Sequence, residues 1–188
     1  MRPTALPPDF DDDEVQPSED GSGPLFHRRY RVSIADARMT ASEVMAKIQA
    51  DPNVVAPTEF ARFERIRGMD GGMRVNDEYI VHMPGPWNGP VRVAEVTDDS
   101  FRLVTLRGHL EAGQIEFRVS KDDELGFEIQ SWARSGDALS SLLYDRLRMA
   151  KEIQLHMWTS TLERVVRLAE GSRRGRLSIE THRFDVDG

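Results

Sequence analysis

Between Asp137 and Glu170 the chain has no proline and no glycine. Over that span Leu139, Leu142, Leu143, Leu147, Ala150, Ile153, Met157, Leu162, Val165 and Leu168 recur mostly at steps of three and four residues. This spacing lays one apolar stripe along a single helix. At 1.5 Å per residue the helix is about 50 Å long, roughly 33 residues. Asp137 suits the positive end of the helix dipole, and Gly171 reads as the stop. Such a stripe must be covered by something long and apolar. The inner face of a curved antiparallel sheet meets that need.

The strands for such a sheet precede the helix. Leu25 to Ala35 nearly alternates, with Phe26, Tyr30, Val32 and Ile34 as its apolar members. Thr40 then reads as an N-cap, with Glu43 completing a capping box, so a short helix is expected over Ala41 to Ala50. Asp51 and Pro52 stop it, and a second short helix or turn is expected near Asn53 to Phe60. Six strand candidates follow: Phe60–Arg67, Asp77–Met83, Val91–Thr97, Phe101–Arg107, Gln114–Ser120 and Leu125–Ala133. Short loops between them favour antiparallel meander pairing. The expected fold class is α+β.

Charge and composition narrow the function classes. The chain has 188 residues and a formal charge of −7, which disfavours a nucleic-acid partner. Seven acids and one base fall in residues 1–24, a Pro- and Asp-rich stretch expected to be a disordered acidic leader. The helix-and-sheet domain is assigned to 25–171, and 172–188 to a flexible tail with a small basic patch. There is no cysteine, so disulfides, thiol nucleophiles and Cys-zinc sites are excluded. No apolar run approaches the roughly 18 residues of a membrane span, and no secretory signal opens the chain. A cytoplasmic setting is the expectation. Among the five histidines no pair has a short metal-ligand spacing, and no phosphate-binding loop or GxSxG elbow is present. No metal and no cofactor are expected.

Three stretches carry a resemblance. They are Met83-Pro84-Gly85-Pro86-Trp87-Asn88-Gly89-Pro90-Val91, Thr105-Leu106-Arg107-Gly108-His109-Leu110-Glu111-Ala112-Gly113-Gln114-Ile115-Glu116-Phe117, and Phe127-Glu128-Ile129-Gln130-Ser131-Trp132-Ala133-Arg134 before the long helix. Over roughly Leu25 to Gly171 the chain resembles the uncharacterised domain-of-unknown-function family nineteen-ninety. The order of elements resembles the START-like (SRPBCC) helix-grip superfamily. The resemblance implies a bent seven-stranded antiparallel sheet wrapping the C-terminal helix, often with an apolar cavity between them. Leu110 and Gln114 stand where the family pattern usually has Pro and an acid, which weakens any role needing those groups.

The candidate site residues are Trp87, Arg107, His109, Glu111 and Tyr144. His109 lies in a Gly-flanked loop with Glu111 two positions on. A carboxylate beside it would raise its pKa and orient the ring, giving a general base or a donor to a polar ligand head. The plainer reading has both residues satisfying backbone groups of a special turn. Trp87 reads as a lid over a cavity mouth or as a plug. Arg107 would hold an anion if it faces inward, or be solvated. Tyr144 would present its hydroxyl to a cavity, or serve as core. Three functions follow. The first is a binding module for a small apolar or amphipathic ligand between sheet and helix. The second is a cofactor-independent cyclase- or dehydratase-type enzyme using His109 and Glu111. The third is a cavity-free structural or interaction domain. Oligomeric state is left open.

Overall fold

Thr40 begins the first helix as its sequence requires. Its hydroxyl accepts from the Glu43 N–H, while the Glu43 carboxylate accepts from the Thr40 N–H at 2.8 Å. The computed structural model describes residues 5–10, 12–84, 88–121, 123–136 and 144–185, and the side chains of 144–151 lie outside that description. Helix α1 spans Ala41–Ala50 and buries Val44, Met45 and Ile48. The expected turn after it is a single 3-10 turn at Pro52–Val54.

Eight strands form one antiparallel sheet among the described residues. They are β1 (Ser22–Ala35), β2 (Arg62–Arg67), β3 (Glu78–His82), β4 (Asn88–Val96), β5 (Ser100–Thr105), β6 (Glu111–Lys121), β7 (Leu125–Ser135) and β8 (Ser172–Phe184). Their order across the sheet is β2-β3-β4-β5-β6-β7-β1-β8. The meander pairs as the short loops dictate, and β1 closes on β7 with Tyr30 opposite Ile129 and Val32 opposite Phe127. Helix α2 is described over Tyr144–Leu168; residues 137–143 of the expected helix lie outside the described residues. Leu162, Val165 and Val166 of α2 share one core with Tyr30, Val32, Phe117 and Ile129 of the sheet. The described C-terminal part of the stripe is therefore covered by a sheet face. No helix among the described residues is long and apolar enough to cross a membrane.

Three features depart from the sequence reading. Helix α2 does not end on Gly171 as its left-handed residue. Glu170 takes that role at φ +52, the Gly171 N–H reaches the Val166 carbonyl, and the Glu170 N–H reaches that of Arg167. Gly171 is needed instead for close approach, since a Cβ there would meet Ile34 Cγ2 at 2.6 Å.

The stretch set apart as a flexible tail is β8 over Ser172–Phe184, which pairs with β1 and makes the sheet eight-stranded rather than seven. Its residues are mostly exposed on both faces, so it lacks the apolar alternation that marks a strand in sequence.

The stretch expected to be disordered is laid across the outer face of the sheet over residues 5–10 and 12–21. Phe10 and Val15 are buried with Ala94, Val104 and Leu106, and Leu6 packs beside them. This outer cover is why every residue of β5 is buried. The leader's acids are held by strand arginines. Asp12, Glu14 and Glu78 all pair with the buried Arg92. Burial alone would raise the Asp12 carboxyl, but the hydrogen bonds from Arg92 and from the Glu14 and Val15 N–H groups outweigh it and hold it below the usual value.

Candidate functional site

The space between the inner sheet face and α2 is apolar over most of its wall. Phe63, Leu103, Ile115 and Phe117 from the sheet face Met157 and Trp158 from the helix. The Trp158 ring meets Phe117 edge-on at 5.7 Å and fills much of the gap. The cavity that remains is about 80 Å³, with a smaller void of about 20 Å³ beyond Trp158 towards Pro52 and Val55. This is well below the roughly 300–1,000 Å³ of a drug-sized ligand pocket.

One end of the cavity is polar, and it is built around the turn between β5 and β6. Gly108 takes φ +91 there, which an L side chain rarely adopts. The leader secures this turn. Gln16 Nε2 donates to the carbonyls of His109 and Glu111, the Gly113 N–H donates to the Gln16 carbonyl, and the Arg107 N–H to that of Glu14. Gly89 of β4 must lack a side chain, because a Cβ there would lie 2.9 Å from His109 Nε2.

His109 is part-buried and lines the cavity. Its Nδ1 lies 2.9 Å from both the N–H and the carbonyl oxygen of Glu111, so the main chain satisfies that nitrogen in either tautomer. Nε2 has no partner among the described residues. Burial pushes the His109 pKa below its ordinary value and outweighs the opposing pull of Glu111. This corrects the expectation of a raised value. The imidazole is neutral at pH 7.

The Glu111 carboxylate is not the orienter of His109. One oxygen accepts from Arg28 Nη1 at 3.2 Å and the other from Gln154 Nε2 at 2.8 Å. Arg28 is buried on the inner face of β1, with its guanidinium 4.9 Å from the centre of the Phe26 ring. Tyr30, the next inward residue of β1, is buried too, and burial raises its phenol pKa. The polar end is thus His109, Glu111, Arg28 and Gln154, of which sequence analysis named two. Arg28 left a signal, since it occupies the inward position where the alternation of Phe26, Tyr30, Val32 and Ile34 breaks. Gln154 left none, being one polar residue on a helix whose rotation only packing fixes.

Arg107 does not join this cluster. Its side chain is exposed, with Nε on the Asp13 carbonyl and a guanidinium nitrogen 3.9 Å from Asp20. It braces the leader. Trp87 and the side chain of Tyr144 lie outside the described residues. His156 is exposed, as its place beside the Ile153–Met157 stripe implies.

A large antiparallel sheet packed against a long helix late in the chain is the helix-grip architecture. The chain belongs to the family described as Domain of unknown function (DUF1990), whose model matches residues 4–164. The match takes in the leader, which the sequence reading had placed outside the domain, and stops before β8. No curated protein matches the chain in sequence. Solved structures share the fold at low identity. The di-domain aromatase/cyclase StfQ of steffimycin biosynthesis aligns at TM-score 0.57 and 11% identity over 81% of this chain. This chain spans about half of that protein, 52% of its length. Protein Ms6760 of Mycobacterium smegmatis aligns at 0.51 and 12% identity, over 84% of this chain and 95% of that one. A Thalictrum norcoclaurine synthase point mutant aligns at 0.50 and 12%, over 79% and 96%.

Proposed function

We propose that this protein binds a small amphipathic molecule in the space between sheet and α2. The observation that carries the reading is the division of the cavity wall. The wall is apolar at Leu103, Phe117 and Trp158 and polar at His109 and Gln154, with His109 Nε2 unpartnered among the described residues. The ligand's polar group meets Nε2, and its apolar part lies against the aromatic wall. A volume of about 80 Å³ admits only a few heavy atoms, since a dry cavity of roughly 150 Å³ is what benzene needs. A larger ligand requires Trp158 to swing aside.

The geometry favours binding over acid–base catalysis. A His–carboxylate dyad needs the carboxylate on the imidazole, and here Glu111 is spent on Arg28 and Gln154. The test is a titration with n-hexanol and with phenol followed by amide chemical shifts, on the wild type and on Trp158→Ala. Saturable shifts at Leu103, His109, Ile115 and Met157 are expected. They should strengthen in Trp158→Ala, which joins the two voids. Absence of saturable binding in both proteins overturns the reading.

A further inference from the structure

An open groove lies on the other side of the sheet from α2. It measures about 910 Å³ and is bounded by β1, the β6–β7 turn and β8. Five guanidinium groups line it: Arg29 and Arg31 from β1, Arg118 from β6, and Arg174 and Arg176 from β8. Only three carboxylates, Asp123, Glu124 and Glu128, line it among the described residues. Guanidiniums therefore outnumber carboxylates on the groove wall itself, with Glu116, Asp99 and Glu180 paired to them from its edge, on a chain whose net charge is −7.

A break in strand pairing brings the β8 arginines there. Arg31 pairs with Ser178 and Ser33 with Arg174, so two residues of advance along β1 match four along β8. Gly175, at φ +70, lies within this bulge. Bulges of this kind re-aim side chains beside functional sites.

The arginines are unevenly neutralised, and Arg29 also reaches Glu180 of β8 at 3.8 Å. One oxygen of Glu128 serves two of them, at 2.9 Å from Arg29 Nη2 and 2.9 Å from Arg31 Nε. Arg29 Nε is buried without any acceptor. Arg174 pairs with Glu124, and Arg118 pairs with Glu116 and Asp99. Arg176 makes no ion pair or hydrogen bond among the described residues, although it lines the groove. Guanidiniums are planar forks that match phosphate oxygens two at a time. Here they approach from three strands, which suits a tetrahedral anion better than a flat carboxylate.

We propose that this outer groove is a second ligand site, for a small molecule carrying phosphate. It is independent of the sheet–helix cavity. Its β8 residues lie beyond the span 4–164 matched by the family model, and its β1, β6 and β7 residues lie within it.

Calorimetric titration of the full chain with inorganic pyrophosphate tests the site, at low ionic strength and again near about 0.3 M salt. Saturable binding that weakens with salt is expected. Arg176→Ala, which removes an exposed and unpaired side chain, should weaken it about tenfold. Glu128→Gln should tighten it several-fold, because it frees Arg31 and leaves Arg29 only its longer pair with Glu180; a merely structural ion-pair ladder gives no such gain. Arg38→Ala removes an arginine whose ion pair is with Glu170, away from the groove, and should leave binding unchanged. No saturable binding, equal loss in Arg176→Ala and Arg38→Ala, or no gain in Glu128→Gln overturns the proposal. Tighter binding of citrate than of pyrophosphate overturns the assignment to phosphate.

Discussion

Arg28 and Glu111 make the residue pair on which the polar end of the cavity depends. Their side chains are 9% and 26% exposed, so neither charge is fully hydrated. A buried pair of this kind adds little net stability when intact, but removing one partner strands the other. Glu111→Gln leaves Arg28 facing a neutral amide at the edge of an apolar core. We expect it to cost about 2 kcal/mol, read as a fall in the urea midpoint with the m-value unchanged. A change within a few tenths of a kcal/mol would mean that water reaches Arg28 freely. The same geometry explains why sequence reasoning paired His109 with the wrong part of Glu111. The spacing put the two residues together, but which atoms met depended on Arg28, distant in sequence, and on Gln154 of α2.

At the scale of elements, α2 ends on a residue poorly suited to its position. Glu170 sits at φ +52, where a Cβ is strained, and its ion pair with Arg38 is long at 3.6 Å and largely solvated. Glycine would relieve the strain, although it also gains freedom in the unfolded chain. Glu170→Gly should therefore stabilise the protein by about 0.5–1 kcal/mol. Chemical denaturation measures this, and a destabilised variant would show that the Arg38 pair outweighs the backbone strain. The same end of α2 holds the loop before α1, because the Arg38 and Met39 N–H groups donate to the Ala169 carbonyl. One cap therefore fixes both the helix and the route by which the chain returns from β1.

For the molecule as a whole, two histidines set the pH response near neutrality. Burial lowers the His109 pKa, and burial with the charges of Arg29 and His182 lowers that of His27. His27 is 4% exposed and stacks on Trp132 with ring centres 5.0 Å apart. Its Nε2 lies 2.7 Å from the Gln130 amide nitrogen, an arrangement that needs the ring nitrogen as acceptor and therefore neutral. A histidine whose folded pKa lies below its ordinary 6.5 contributes stability that is complete above that value. The contribution is lost as pH falls through the folded pKa, since the unfolded chain then binds more protons. Thermal stability should therefore drop as pH is lowered from about 7.5 to about 5. The double variant His27→Asn/His109→Gln should show a flatter profile over that range, whatever its absolute stability. An unchanged slope would place the pH dependence on other groups.

Local order was legible in the sequence. The capping box of α1, the six meander strands and the apolar stripe of α2 all follow from spacing within a few residues, because hydrogen-bond geometry repeats at fixed periods. So does the need for a sheet to cover the helix. What lay outside that reach depended on partners distant in the chain. The leader looked too poor in large apolar residues to order, yet Val104 and Leu106 bury the few it has, and Arg92 and Arg107 hold it by charge and hydrogen bonds. Strand β8 has no apolar face of its own and exists because β1 offers it an edge. The sheet–helix space is narrow because Trp158 rotates onto Phe117, a matter of side-chain packing. Sequence by itself determined the elements and their order, since those rest on local periodicity. Only the tertiary structure decided which charges met and how much space remained, since both are set by contacts between residues far apart in the chain.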